Sequence, residues 1–595
     1  NVHTGRMARL PNLLTFHSNP VPDHRRSERP CLRSHWINKA IPAIGVARTY
    51  RLSWLKSDLA AGAALSAALI PAGMAYAEAS GLPAVTGLYA SVVPMFFYAL
   101  FGPSRVVIVG PDSSLAPMIA AAVLPLAGRD PDQAVALAGI LAVLIGLFLI
   151  AGRILRLGFV TGLLSKPIRI GYLNGIALTV MISQLPRLLG ISVEGDSLVQ
   201  RAQGTVEAIF QGSVNPVALA FGAGTLAAMI AGRLLPWKVP GVLVAVVASI
   251  AAVAALGLAE DLQVVGALPA GLPSPALGGL SLEDVLALVP PAAGIALIAF
   301  ADTSTLSKSL AARRGLKVSG NHEMGALGIA NVASGMLGGF PVCGSSSRTP
   351  IVLDAGARTQ FSGIVAAAIV VIFMVAAPGV TAFLPTATLA AVVMVAAASL
   401  VDVKTLFRLV TMSKTEALLL VATFLGVAFV GVLEGIVVAI ALSLMAFVRR
   451  AWDPYRTELA SLDDVPGFHD VARHPEGKRI DGLIIARFDA PLFFANGEVF
   501  AEHIRSLVAA APSPVRWVVV AAEPITDLDT TALDELVQLD DELAQEGISL
   551  VFAEMKGPVK DRLTRFGVTA RFTTDHFYPT VHSAVRSYRK EMGID

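Results

Sequence analysis

Residues 338–350 read Gly338-Gly339-Phe340-Pro341-Val342-Cys343-Gly344-Ser345-Ser346-Ser347-Arg348-Thr349-Pro350. The stretch lies deep in the hydrophobic part of the chain, yet its glycines, prolines, serines and arginine exclude an ordinary membrane helix. It predicts extended backbone, then a helix that starts at the serines, which are good N-caps. Non-helical backbone is tolerated at membrane depth only where protein buries it or a wet cavity receives it. An arginine at that depth is costly and marks a functional position.

The same grammar recurs at Arg105-Val106-Val107-Ile108-Val109-Gly110-Pro111-Asp112-Ser113-Ser114-Leu115-Ala116-Pro117. A β-branched run meets Gly-Pro, then a charge and two serines, then helix formers. Two interrupted segments, one per half, point to a transporter's binding site near mid-membrane. Their half-helix N-termini carry unpaired N–H groups and positive dipole ends, which suit an anion. The bland alternative is a pair of re-entrant loops with purely structural glycines. Asp112 and Arg348 argue against it, because buried charge needs a reason.

Bulk properties fit this reading. The 595 residues are 54% hydrophobic and 15% charged, with a mean hydropathy of +0.67. Soluble domains carry about 25% charged residues, so the chain is a polytopic membrane protein, too long for one domain. A net charge of +2 offers no bulk argument for nucleic acid. Cys31 and Cys343 are the two cysteines, which excludes a disulfide framework and leaves no metal-ligand spacing. Residues 1–50 form a basic, mostly disordered, cytoplasmic N-terminus, with no cleavable signal and a short amphipathic helix near Trp36–Arg48.

The transmembrane domain is expected over 51–450. Spans of about 20 apolar residues fall near 58–77, 83–101, 105–124, 133–151, 160–184, 213–234, 239–257, 282–301, 321–338, 341–355, 360–377, 385–400, 415–430 and 432–448. That makes about fourteen, in two sets of seven, the third and tenth broken. With the N-terminus inside, the cytoplasmic loops carry Arg105, Arg153, Arg156, Arg233, Lys238, Lys308, Arg313, Arg314, Lys317, Arg358, Lys404, Arg408, Lys414, Arg449 and Arg450. The opposite loops are acidic or mixed, at Arg129–Asp132, Glu194–Glu207, Glu260–Glu283 and Glu434. This asymmetry places both termini in the cytoplasm and suggests a bacterial inner membrane. Glu78, Lys166, Arg169, Glu416 and Glu434 read as interfacial charges.

After Arg450 the composition changes. Residues 451–479 read as a linker, and 480–595 as a soluble domain of alternating strands and helices. Strands are expected at Leu483–Phe488, Val515–Ala521 and Ile548–Phe552. Helices are expected at Glu498–Ala510, Thr531–Glu546, Val559–Phe566 and Pro579–Glu591. Asp529 or Thr530 should cap the second of these helices. The tail lacks GxGxxG, a Walker lysine and triad spacing, so the chain is not read as an enzyme.

Pro71-Ala72-Gly73-Met74-Ala75-Tyr76-Ala77, Gly81-Leu82-Pro83, Gly87-Leu88-Tyr89-Ala90-Ser91, Gly110-Pro111 and the Gly-Ser-Ser-Ser-Arg-Thr run resemble the sulfate permease (SulP) anion transporter family, which includes prestin. The tail is similar to its STAS domain, with Asp529-Thr530-Thr531 matching the motif ahead of the STAS helix. The resemblance covers about residues 50–595. It implies a polytopic α-helical membrane domain, a 7+7 inverted repeat with core and gate domains, a C-terminal cytoplasmic α/β STAS domain, and commonly a homodimer.

By that resemblance the anion pocket lies between the first, third, eighth and tenth spans. Its residues fall on Ala72, Tyr76, Asp112, Ser347 and Arg348, and its acidic position in the eighth span falls on Asp302; Ser113 and Ser346 are further candidate anion contacts, and Asp302, Asp112 and Thr303 are the candidate coupling-ion residues. Ala72 replaces a polar side chain of some members, and Asp112 replaces a neutral one of others. Tyr76 is equally a packing residue. Asp302 closes an apolar span, so its carboxylate could instead snorkel to the interface. Thr530 is a candidate phosphosite by family analogy, against a plain helix cap.

The resulting expectation is a secondary active transporter of small anions of the sulfate, bicarbonate or dicarboxylate class, coupled to H⁺ as a symporter by alternating access. Na⁺ is the alternative coupling ion, in a bicarbonate symporter, and anion exchange is another mode. A proton is favoured because Leu306 lies one turn after Asp302, where some Na⁺-coupled relatives place a Thr. Readings of other classes are a nucleobase–cation symporter, which shares the fold but lacks a STAS tail, and a non-transporting anion-gated scaffold. No cofactor beyond the coupling ion is expected. The partners are the anion, the bilayer, a second copy and a cytosolic partner of the STAS domain.

Overall fold

The computed structural model describes residues 41–593 apart from 129, 163–164, 194, 196, 235–240, 270, 272–274, 276–277, 279, 314–317 and 464. Residues 1–40, with Cys31 and Trp36, and Arg129, Glu194, Lys238, Arg314 and Lys317 lie outside the described residues. Two compact units result. One runs up to Thr161 and then takes Ile176–Val401 and Gly431–Leu433; the other takes Gly162–Gly175, Asp402–Val430 and the chain from Glu434.

The membrane part begins with α1 (Pro42–Thr49), α2 (Leu52–Ala79) and α3 (Ala84–Phe101), followed by the strand β1 (Val109–Gly110) and α4 (Ala116–Ala127). Next come α5 (Pro131–Ile154), α6 (Lys166–Leu189), α7 (Leu198–Phe210), α8 (Pro216–Leu234) and α9 (Gly241–Leu256). The second half holds α10 (Leu282–Arg313), α11 (Gly320–Met336), β2 (Cys343–Gly344), α12 (Arg348–Asp354) and α13 (Phe361–Ala376). It closes with α14 (Thr386–Ala398), α15 (Val403–Met412), α16 (Lys414–Leu425) and α17 (Val432–Trp452). Six helices among the described residues are long and apolar enough to cross a membrane, and several broken or shorter apolar helices stand between them.

Both interrupted segments are as expected: a short strand, a polar bend, then a half-helix. The amphipathic α7 and α15 lie in stretches expected to be loops, because each carries too many polar residues for a span. The eighth span was expected to end at 301, but α10 runs on to Arg313. Asp302 is therefore inside a helix and not at its end, since Thr303, Ser304 and Ser307 bury their side chains as the apolar residues before them do.

Small residues let the helices touch backbone to backbone. A Cβ built on Gly87 of α3 would lie 1.9 Å from the Gly73 carbonyl oxygen of α2, and one on Gly335 of α11 would lie 2.2 Å from the Gly139 carbonyl oxygen of α5.

The tail contains β3 (Arg456–Ser461), β4 (Phe468–Asp470), β5 (Leu483–Phe488), α18 (Gly497–Ala509), β6 (Trp517–Ala521) and α19 (Thr530–Gln545). β7 (Ser549–Ala553), α20 (Gly557–Arg565), β8 (Phe577–Tyr578) and α21 (Val581–Met592) complete it. The sheet order is β4-β3-β5-β6-β7-β8, with β5 to β8 parallel and β3 antiparallel to its neighbours. Residues 451–479 are thus not a linker, because they supply two strands of the sheet. Charged and polar side chains on β3 and β4 hide the alternation. Apolar side chains bury both faces of the central strands, with Ile484, Val518 and Phe552 on one side and Ile485, Val519 and Val551 on the other.

Candidate functional site

The two interrupted segments meet. Val109 pairs with Gly344 and Gly110 with Cys343 in an antiparallel ladder, and Ser345 N–H donates to the Ile108 carbonyl at 2.8 Å. Buried side chains satisfy the rest of this backbone, as its depth demands. The Thr349 hydroxyl accepts from Ile108 N–H at 3.2 Å. Gln360 Nε2 donates to the Ser104 and Val107 carbonyls at 2.9 and 2.7 Å. Asn331 donates to the Val342 carbonyl and accepts from Val342 N–H at 3.0 and 2.9 Å.

Arg348 sits at this crossing, 2% exposed. Its Nε donates to Ser345 Oγ at 3.0 Å, and Nη2 donates to the Pro111 carbonyl and stands 3.9 Å from Asp112 Oδ2. Its Nη1 is buried without a hydrogen-bond partner among the described residues. That nitrogen lies 3.4 Å from where a Cβ on Gly110 would be, so glycine leaves it room. The guanidinium carbon is 5.9 Å from the centre of the Tyr76 ring, within cation–π reach. The structure therefore leaves one strong donor free after the arginine has been anchored on two sides.

The other expected residues assemble around it unevenly. Tyr76 is buried, and its hydroxyl faces the Ser113 and Ser347 side chains. Ala72, one helical turn earlier, is buried and supplies no polar atom. Ser346 and Ser347 are exposed, while Ser113 is buried. Asp112 Oδ1 accepts from Ser114 N–H and Ser114 Oγ at 3.2 and 3.1 Å, which holds its carboxylate in a local turn. Asp302 is half-buried. Asp112 and Asp302 both lie close enough to the buried Cys343 thiol to act on it electrostatically. The Thr303 hydroxyl accepts from Gly344 N–H and donates to the Ala299 carbonyl, each at 2.7 Å. It therefore pins β2 to α10.

Sequence reading missed Ser345, Ser114, Thr349, Asn331 and Gln360, which carry no charge and sit where any small polar residue looks alike. Glu78, expected as an interfacial charge at the end of α2, is mostly buried and stands 3.7 Å from Arg187, which also donates to the Glu78 carbonyl at 3.0 Å. The second half-helix, α12, has only 7 residues, so its dipole is weaker than the sequence implied. Among the described residues no group of His, Cys, Asp and Glu could hold a metal ion. Thr530 is exposed at the first turn of α19, and Asp529 is the cap, accepting from Ala532 N–H at 2.9 Å.

The sulfate permease family matches residues 55–423. This chain belongs to that family. The STAS domain matches residues 474–584 of the same chain. A probable sulfate transporter of Mycobacterium tuberculosis is 38% identical over 550 residues, covering 92% of this chain and 98% of that one. The murine Solute Carrier 26 family member A9 anion transporter, solved in an inward-facing state, superposes with a TM-score of 0.87 at 21% identity, over 96% of this chain and 97% of that one. That likeness is one of fold. The transmembrane domain of the cyanobacterial bicarbonate transporter BicA is similar over 67% of this chain and 98% of its own, with a TM-score of 0.56 and 27% identity. The sulfate permease family consists of anion transporters and not enzymes, and its membrane domain is multi-pass.

Proposed function

We propose that this sulfate permease family member is a secondary active transporter of small anions, working by alternating access and coupled to protons. One observation carries the reading: Arg348 is buried, anchored through Nε and Nη2, and keeps Nη1 unpaired at the break between two half-helices. An inorganic oxyanion or a carboxylate would accept from Nη1, with Ser347 and Tyr76 as further donors. The mycobacterial relative's description as a probable sulfate transporter and BicA's as a bicarbonate transporter support that substrate class.

Charge counting supports the coupling. Arg348 contributes +1 and the N-terminus of α4 about +0.5, against −2 if Asp112 and Asp302 are both ionised. A divalent anion gains nothing from that field. One aspartate, Asp302 or Asp112, would therefore be neutralised by the coupling proton when the anion is bound. Loop charge supports cytoplasmic termini, and the family supports a homodimer. Thr530, exposed beside the cap, is open to a kinase.

The test is uptake of labelled sulfate, bicarbonate and succinate into proteoliposomes, with imposed H⁺ and Na⁺ gradients. Uptake should rise as external pH falls, and Asp302→Asn should keep anion binding while losing the pH dependence. Uptake driven by Na⁺ and indifferent to pH would refute proton coupling. No uptake of any anion, with tight uracil binding, would refute the anion reading itself.

A further inference from the structure

A cavity of about 650 Å³ lies under α1, outside the anion site. That volume falls in the range of small-molecule sites, about 300–1,000 Å³. Val46, Leu55, Ala99, Phe361 and Ile364 give it mainly apolar walls. These come from the amphipathic helix α1, the start of α2, the end of α3 and the start of α13, so the cavity opens where helices leave the membrane. Tyr50, Trp54 and Phe361 pack edge to face there, with ring centres 5.9 and 6.0 Å apart. Aromatic rings of this kind gather at the membrane–water boundary.

The polar side of the cavity is one-signed. Arg105 lines it and is exposed, and exposed Arg48, Arg51, Lys56 and Arg358 flank the same elements. No ion pair among the described residues takes up Arg105 or Arg358. The acid of the neighbourhood, Asp58, is wholly buried and already satisfied. It accepts from Arg358 N–H, Thr359 N–H and Thr359 Oγ1 at 2.7, 3.2 and 2.7 Å, and from the Tyr50 hydroxyl at 3.2 Å. Gln360, which lines the cavity, is fixed by its two bonds to the carbonyls of residues 104 and 107. The polar wall is thus rigid before any ligand arrives, and its outward charge is positive.

We propose that this cavity is a binding site for an anionic glycerophospholipid, one acyl chain lying against Val46, Leu55 and Ile364 and the phosphate at Arg105 and Arg358. An apolar slot with a basic rim at the end of membrane helices is the chemistry that selects an anionic lipid over a zwitterionic one. A soluble anion would leave the apolar wall wet, and a soluble apolar ligand would leave the arginines unused. The inference rests on the membrane setting and not on the transport reading.

Binding is measured on the full chain by native mass spectrometry after exchange from vesicles of equal phosphatidylglycerol and phosphatidylcholine. Phosphatidylglycerol should stay bound in preference, at one molecule per chain. Each basic contact is worth about fivefold, so Arg105→Gln with Arg358→Gln should weaken retention about 30-fold. Gly45→Leu is the second variant: Gly45 lines the cavity and nothing lies within 4 Å of an added Cβ, so a larger side chain has room to enter the slot there. It should expel the lipid with no loss of melting temperature. Equal retention of the two lipids would overturn the proposal, as would unchanged retention in Gly45→Leu. Phosphatidylglycerol binding that appears only after residues 1–40 are deleted would assign the cavity to the chain's own N-terminal segment and overturn it too.

Discussion

Replacing Arg348 by alanine removes the guanidinium at the crossing of β1 and β2 and leaves Asp112 facing any incoming anion. The separation of Nη2 from Asp112 Oδ2 is 3.9 Å. Unit charges that far apart interact by about 4 kcal/mol at an effective dielectric of about 20. An anion seated on Nη1 is held by the same charge and then meets an unscreened carboxylate instead. Truncating one partner of a buried, hydrogen-bonded charge pair costs about 2–5 kcal/mol in binding, or roughly 30- to 5,000-fold. Titration calorimetry or scintillation proximity with labelled sulfate reads this directly on purified protein. Arg348→Ala should bind at least about 30-fold more weakly, and Arg348→Ala with Asp112→Asn should recover part of the loss, because the stranded negative charge is gone. Arg348→Lys should fall between: it keeps the charge, but its ammonium cannot hold Ser345 Oγ and the Pro111 carbonyl in the planar fork and still leave a donor free. A well-folded Arg348→Ala protein with affinity within about threefold of wild type would refute the assignment of the anion to this arginine.

Three further outcomes follow from other parts of the fold. Gly87→Ala places a methyl 1.9 Å from a backbone oxygen of α2, where no side chain can yield. Melting should fall by the equivalent of at least about 1–3 kcal/mol, and an unchanged melting temperature would deny the close approach of α2 and α3. Asp529→Ala removes the cap of α19 and orphans Phe494 N–H, which donates to Asp529 Oδ2 at 2.8 Å. Urea unfolding of the tail should show a loss of about 0.5–2 kcal/mol, and Asp529→Asn should lose less, because its one amide oxygen keeps the cap to Ala532 N–H but not the bond to Phe494 N–H. Burial lowers the imidazole pKa of His503 from its usual 6.5, with Arg456 adding to the effect. The folded tail therefore resists protonation that the unfolded chain accepts. Its stability should be level above about pH 6.5 and fall as pH drops through that value; His503→Gln should flatten the decline, and an equal decline in the variant would place its cause elsewhere.

Much of this architecture was legible in the residues. Gly-Pro and Gly-Ser-Ser-Ser cannot continue an apolar helix, so both breaks, and the charges stranded beside them, stood out in one dimension. The Asp529 cap and the three central strands of the tail were legible for the same reason: local backbone chemistry and short apolar runs fix them. The polar helices α7 and α15 and the short strands β3 and β4 at one side of the sheet were not, because too little apolar surface marks them.

What sequence alone determined was where helix is forbidden and where charge must be explained. Only the tertiary structure decided what each charge meets. Arg348 and Asp112 are far apart in the chain, and it is the ladder of Val109 with Gly344 and Gly110 with Cys343 that brings them together. Asp58 and Glu78 look alike as isolated acids near the ends of an apolar helix. The fold turns the first into an acceptor for the turn at Arg358 and Thr359, and the second into a partner for Arg187. The reason is physical: backbone preference is set by neighbours in sequence, whereas the worth of a buried charge is set by neighbours in space.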